Sequence, residues 1–143
     1  KVPYSASEIA MSSDIPMLLM SGVNKGGIES AAVDLVAHAN MLEKLGVTVE
    51  AILLNKVYNQ NIFENVVPYI KNNTKVKNVL NVSKLKIEGR GFTPEVEIRY
   101  DLFSKYALEC VEENIDINTI ASMAKNVNFN RIVPFEEIKN RVI

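Results

Sequence analysis

IPMLLMSGVNKGGIESAAVDLVAHANMLEKLGVTVEAILLNKVY, residues 15–58, is the stretch that decides the fold. It begins with the unbroken apolar run Met17-Leu18-Leu19-Met20, closed by Ser21-Gly22. A short apolar run between turn signals suits a strand buried on both faces. Val23 to Gly27 is a glycine-bearing turn. Ile28, Ala32, Leu35, Ala39 and Leu42 then recur at spacings of four and three, lining one face of a helix that Gly46 stops. Val47 to Leu54 is a second strand, β-branched at its start and apolar at its end. Strand, helix and strand in this order make a crossover unit, which implies parallel pairing and a right-handed connection.

Upstream, Ser5 to Ser12 predicts a short helix that Asp14-Ile15-Pro16 closes. Downstream, Ile62, Val66, Val67 and Ile70 mark a helix fading into Lys71-Asn72-Asn73-Thr74, and Val79 to Val82 predicts a third strand. Gly89-Arg90-Gly91 is a turn. Thr93 suits an N-cap, Pro94 the first helical position and Glu95 the positive end of the dipole, ahead of Val96, Tyr100, Phe103, Ala107 and Cys110. Asp116 caps a shorter helix bearing Ile117, Ile120 and Met123. A strand at Arg131-Ile132-Val133 and a helix opened by Pro134 complete the reading. The expected class is α/β: a three-layer parallel sheet of three to five strands with helices on both faces. Residues 1–126 form a nucleotide-type α/β domain, and 127–143 extend it.

At 143 residues the chain is one domain by size. Its net charge of −1 gives no bulk attraction for nucleic acid. Lys71, Lys75, Lys77, Lys84, Lys86 and Arg90 form a local basic stretch, and Glu95, Glu97, Asp101, Glu109, Glu112, Glu113 and Asp116 follow it. That pattern reads as two solvated faces or an internal charge match. The single cysteine, Cys110, excludes an intrachain disulfide and a cysteine zinc site; on a helical apolar stripe it reads as a small buried hydrophobe. The single histidine, His38, excludes a multi-histidine metal centre and lies off the main stripe of its helix. No run approaches the roughly 18 apolar residues of a membrane span, and no signal peptide is visible, so a cytoplasmic location is expected. The start at Lys1 rather than Met leads us to expect a piece or processed form of a longer protein.

In an open parallel sheet, ligands gather at the carboxyl ends of the strands. One sequence feature there is Lys25-Gly26-Gly27-Ile28-Glu29, at the start of the first crossover helix. Its glycines allow close backbone approach, and free amides at a helix start favour an anion. A phosphate loop needs a Lys-Ser/Thr pair after its glycines. Here Ile28-Glu29-Ser30 follows instead, and a carboxylate repels phosphate. A small-ligand site and a plain tight turn both fit these residues. The other feature is Asn55, whose amide both donates and accepts, as the edge of a nucleobase requires; taken alone, an asparagine satisfying a loop backbone fits slightly better.

Together these stretches resemble dethiobiotin synthetases, with their "(I/L)PV-apolar" strand, "GVK-x-G-C-I-N" type loop, helix, "aG(L/I)" turn and strand ending in asparagine. Related cobyrinic acid amide ligases and the amino-terminal domain of some phosphate acetyltransferases share the layout. The likeness covers roughly residues 10–85 and is echoed near 97–124, where Asn114-Ile115-Asp116-Ile117-Asn118-Thr119-Ile120 is similar to the ending of those domains. The resemblance implies that Asn55 recognises adenine, and that Gly26, Gly27, Ile28 and Glu29 form the loop facing the substrate carboxylate. Glu29 stands where the family has asparagine, and Lys56 where dethiobiotin synthetases commonly have aspartate. The family's phosphate loop, magnesium-binding acid and "EGAGG"-type strand end belong to a first half that these residues do not contain. Gly89-Arg90-Gly91-Phe92 falls where the family covers the base, in different wording.

Three functions follow. One is a non-catalytic or partial domain binding ATP, another nucleotide or a small metabolite. Another is part of an ATP-dependent carboxylate or amide ligase whose phosphate loop lies on another segment, which alone would bring magnesium. The third is an interaction domain without ligand. The first is favoured, because the missing loop and Glu29 both argue against chemistry. A homodimer, or association with a segment bearing the phosphate loop, is also implied, with Met41 and Leu45 extending an apolar face on the helix after the glycines.

Overall fold

The computed structural model describes residues 5–23, 26–85 and 100–124. The fold is α/β, a three-stranded parallel sheet flanked by helices, with strand order β1-β2-β3. The elements are α1 (Ala6–Ser13), β1 (Met17–Gly22), α2 (Gly27–Lys44), β2 (Val49–Val57), α3 (Gln60–Asn73), β3 (Asn78–Ser83), α4 (Tyr100–Asn114) and α5 (Ile117–Ala124). Both crossovers step in the same direction across the sheet, so right-handed connections place α2 and α3 side by side on one face. The expected strand at 131–133, the helix from Pro134, the Thr93 cap and the turn at 89–92 lie outside the described residues.

Local chemistry sets the element ends. Ser5 and Glu8 form a reciprocal capping box on α1: the Glu8 amide donates to Ser5 Oγ at 3.2 Å and the Ser5 amide to Glu8 Oε2 at 2.7 Å. Asp14, left-handed at φ 54°, ends that helix. At the end of α2, Gly46 takes φ 86°; its amide donates to the Glu43 carbonyl and the Val47 amide to the Leu42 carbonyl, both at 3.0 Å. That is a Schellman motif, completed by burial of Leu42 and Val47. Asn59 caps α3 by accepting from the amides of Asn61 and Ile62. This helix runs through Pro68, which cannot form the helical bond to the Glu64 carbonyl. Phe63, Val66 and Ile70 are buried on either side of it and hold the helix against the sheet.

The core lies between the sheet and α2–α3. Ile28, Ala32, Leu35, Ala39 and Leu42, the expected stripe, are all buried there. On β2, Ile52 and Leu54 point into this core. Simple alternation would send Val49 and Val57 the other way. Register shifts at both ends of the strand turn them back inward, and the second places Lys56 at φ 65°. Ala51 and Leu53 face away from α2 and are also buried, so the middle of the sheet is closed on both sides.

β1 corrects the expectation of burial on both faces. Met17 and Leu19 pack on the core, but Leu18 is 36% and Met20 63% exposed. β1 pairs with β2 alone among the described strands, so its apolar run lies at an edge of the described sheet. Two lysines of the basic stretch find partners on α2 and β2 rather than in the acidic segment that follows. Lys75 pairs with Glu43 of α2 at 3.4 Å and Lys77 with Glu50 of β2 at 3.6 Å.

Candidate functional site at the carboxyl edge of the sheet

The register pairs Gly22 of β1 with Asn55 of β2, and the Asn55 carbonyl accepts from the Val23 amide at 2.8 Å. This rung carries the glycine turn off the end of β1 beside the end of β2. Gly26 and Gly27 take φ 85° and 86°, a left-handed conformation open to glycine at little cost. Gly26 is the N-cap of α2 and supplies no side-chain bond to the first-turn amides, which are left to another acceptor.

The turn is tight. A Cβ on Gly26 would stand 2.8 Å from Ser30 Oγ and 2.9 Å from Ser30 Cβ. One on Gly27 would stand 3.3 Å from Glu29 Oε2 and 3.4 Å from the Tyr58 hydroxyl. A carboxylate and a phenol therefore flank the same open backbone. The Glu29 side chain is exposed, placing negative charge at the mouth of the turn. Ile28 is fully buried in the core and presents no accessible surface to a ligand, which corrects its expected place among the substrate-facing residues. Lys25 lies outside the described residues.

Asn55 is half-buried and sits inside β2 rather than at its end, paired on its other side with Val82. Alternation from Leu54 directs its side chain to the face opposite α2. The structure thus brings Gly26, Gly27, Glu29 and Tyr58 together on the helix side of the edge and Asn55 onto the other side. A ligand touching both must straddle the strand ends. Lys56, noted from sequence only for departing from the family's aspartate, is left-handed and belongs to this edge; Tyr58 also belongs to it and was not singled out from sequence, its signal being its place three residues after the asparagine. A non-glycine residue at positive φ costs about 1–2 kcal/mol, and such strain gathers at ligand sites.

The other candidates are structural. His38 is exposed on α2 with Nδ1 2.7 Å from the Asp34 carbonyl. Cys110 is buried, its Sγ donating to the Ser83 carbonyl at 3.4 Å. Among the described residues no group of three or more acids, histidines or cysteines is placed to hold a metal ion. No described helix is long and apolar enough to cross a membrane. A shallow depression of about 170 Å³ lies at the opposite end of the sheet, bordered by Met11, Asp14, Pro16, Gly46, Thr48 and Glu50. It is remote from the glycine turn, and the amino ends of parallel strands are not where such sheets bind ligands.

Searches of family models, curated proteins and solved structures return no match. The likeness to dethiobiotin synthetases therefore rests on the motifs alone.

Proposed function

We propose that this chain binds a small organic ligand, a nucleotide or a metabolite, across the carboxyl edge of its sheet, as a non-catalytic or partial relative of the ATP-dependent carboxylate and amide ligases. The Gly22–Asn55 rung carries this reading, because it sets the uncapped start of α2 and the asparagine amide at one end of the sheet. Asn55 is suited to a base edge, and the amide of Gly27 to a carboxylate or other small acceptor. Glu29 weighs against a phosphate chain there. Calorimetry and amide chemical shifts with ATP, ADP and small dicarboxylates test the proposal. Shifts are expected at Gly22, Gly27 and Asn55, and Asn55→Ala should weaken nucleotide binding by about tenfold, the value of one good polar contact. Absence of any response at millimolar ligand would leave an interaction domain. The resemblance also puts self-association on α2, and the exposure of Met41 and Leu45, 51% and 53%, supports it.

A further inference from the structure

β3 and α4 are held to the fold by different means from the other elements. The apolar core takes its buried members from α1, α2, β2, α3 and the turns beside them; β3 adds only the partly buried Val79, and the described side chains of α4 add none. Two residues beyond Val79, on the same face of β3 and opposite Leu54, stands Asn81. It is the one buried polar side chain among the described residues, and its Oδ1 is closed off from solvent with no donor in reach. A buried acceptor without a partner raises the free energy of the folded state, and exposing it to water removes that cost. The β2–β3 pairing is also interrupted, where Lys56 stands out of register between Asn55 and Val57. On α4, Cys110 is the only buried residue among the described side chains. Its thiol, a weak donor, meets the Ser83 carbonyl at 3.4 Å, and Ser83 Oγ donates to Asn114 Oδ1 at 3.4 Å, long for a bond of that type.

We propose that β3 and α4 open together as one unit while β1, α2, β2 and α3 stay folded, and that this opening controls chemical access to the Cys110 thiol. Val76, buried in the core, anchors the chain just ahead of β3, so release from Lys77 onward is contiguous and threads past no other element. Cooperative units of this kind open at a lower free energy than the whole molecule. Asn81 sets the bias: closed, its acceptor is unpaired; open, it is hydrated. Closed, the Cys110 thiol is buried and inert; open, it is exposed to reagents. The inference rests on packing alone and stands whether or not a ligand binds beside Asn55.

Hydrogen exchange and thiol labelling of the wild-type chain test this together. The slowest amides of β3 and α4 are expected to exchange at least about tenfold faster than those of Leu35 and Ile52, with a shared urea dependence shallower than that of global unfolding. Cys110 is the only cysteine, so an aromatic disulfide reagent reports on it alone. Its thiolate, the proton lost to solvent, attacks the reagent disulfide, giving a mixed disulfide and releasing a coloured aromatic thiolate. Labelling should be first order in reagent and return the same opening constant as the amides. Asn81→Val removes the unpaired amide and suits a strand, and should slow labelling by about tenfold. Amides of β3 and α4 that exchange only at the global rate, Cys110 labelling with the urea dependence of global unfolding, or an Asn81→Val protein labelled as fast as wild type would each overturn the proposal.

Discussion

Gly26, Gly27 and Gly46 share nearly one backbone conformation, φ 85°, 86° and 86°, in three different surroundings. They therefore form a series in which conformational and steric costs separate. Around Gly46 an added Cβ meets nothing within 4 Å, so Gly46→Ala carries the left-handed penalty alone, about 1–2 kcal/mol. At Gly27 the nearest atoms are ends of exposed side chains, which can swing away, so Gly27→Ala should cost about the same 1–2 kcal/mol. At Gly26 the neighbour is Ser30 Cβ at 2.9 Å, fixed to the helix backbone and well inside ordinary contact. Overpacking of this kind adds about 1–3 kcal/mol, making Gly26→Ala the costliest at roughly 2–5 kcal/mol. The chain has no tryptophan, so urea unfolding followed by far-UV circular dichroism is the suitable assay. A double-mutant cycle with Ser30→Gly isolates the contact. It should recover about 1–3 kcal/mol of the Gly26→Ala cost, set against the helix-propensity loss of Ser30→Gly alone. If Gly26→Ala were no worse than Gly46→Ala, or the cycle showed no coupling, the close approach of turn and helix would not constrain the folded state.

Pro68→Ala should stabilise the protein by roughly 1–3 kcal/mol in the same assay, since it restores the helical bond to the Glu64 carbonyl at an exposed site; a loss of stability would show that α3 depends on the proline. Asp116 caps α5, accepting from the Asn118 amide at 2.9 Å and the Thr119 hydroxyl at 2.8 Å, and these bonds hold its carboxyl below the ordinary carboxylate value. The sign follows: the cap stabilises α5 above the unfolded pKa, about 3.9, and is lost as pH falls through the lower folded value. The Asn118 amide shift should titrate with a midpoint below that of an exposed aspartate, and Asp116→Asn should abolish the step. Glu29→Gln should strengthen binding of a small dicarboxylate by about fivefold, the effect of removing roughly 1 kcal/mol of solvent-screened repulsion; calorimetry showing weaker binding would instead make Glu29 a ligand contact.

The crossover unit was legible because each of its signals has a direct physical cause. Ile28 to Leu42 repeat at the helical period, and Gly46 occupies the left-handed position that ends α2. The second crossover was readable for the same reason, although Pro68 alone would argue for stopping α3 early. Its helix persists because burial of Phe63, Val66 and Ile70 outweighs one missing hydrogen bond. The edge position of β1 was not legible. Met17 to Met20 records which side chains suit burial, whereas exposure depends on what else stands beside the strand.

The site was harder to read, for a reason located in β2. Strand alternation from Leu54 would extend unchanged to Val57, but the register shift at Lys56 interrupts it, and a bulge of this kind leaves no compositional trace. Its effect is to leave Asn55 on one face while Val57 returns to the core and Tyr58 reaches the glycine turn on the other. The candidate contacts therefore form two subsites joined through the backbone at the Gly22–Asn55 rung, and this has an energetic consequence. Asn55→Ala and Glu29→Gln share no side-chain partner, so on a nucleotide or dinucleotide-sized ligand their effects should add to within about 0.5 kcal/mol, or twofold in affinity. Strong coupling between them in a double-mutant cycle would mean that both side chains meet the same ligand group, and the division of the site between two faces would be refuted.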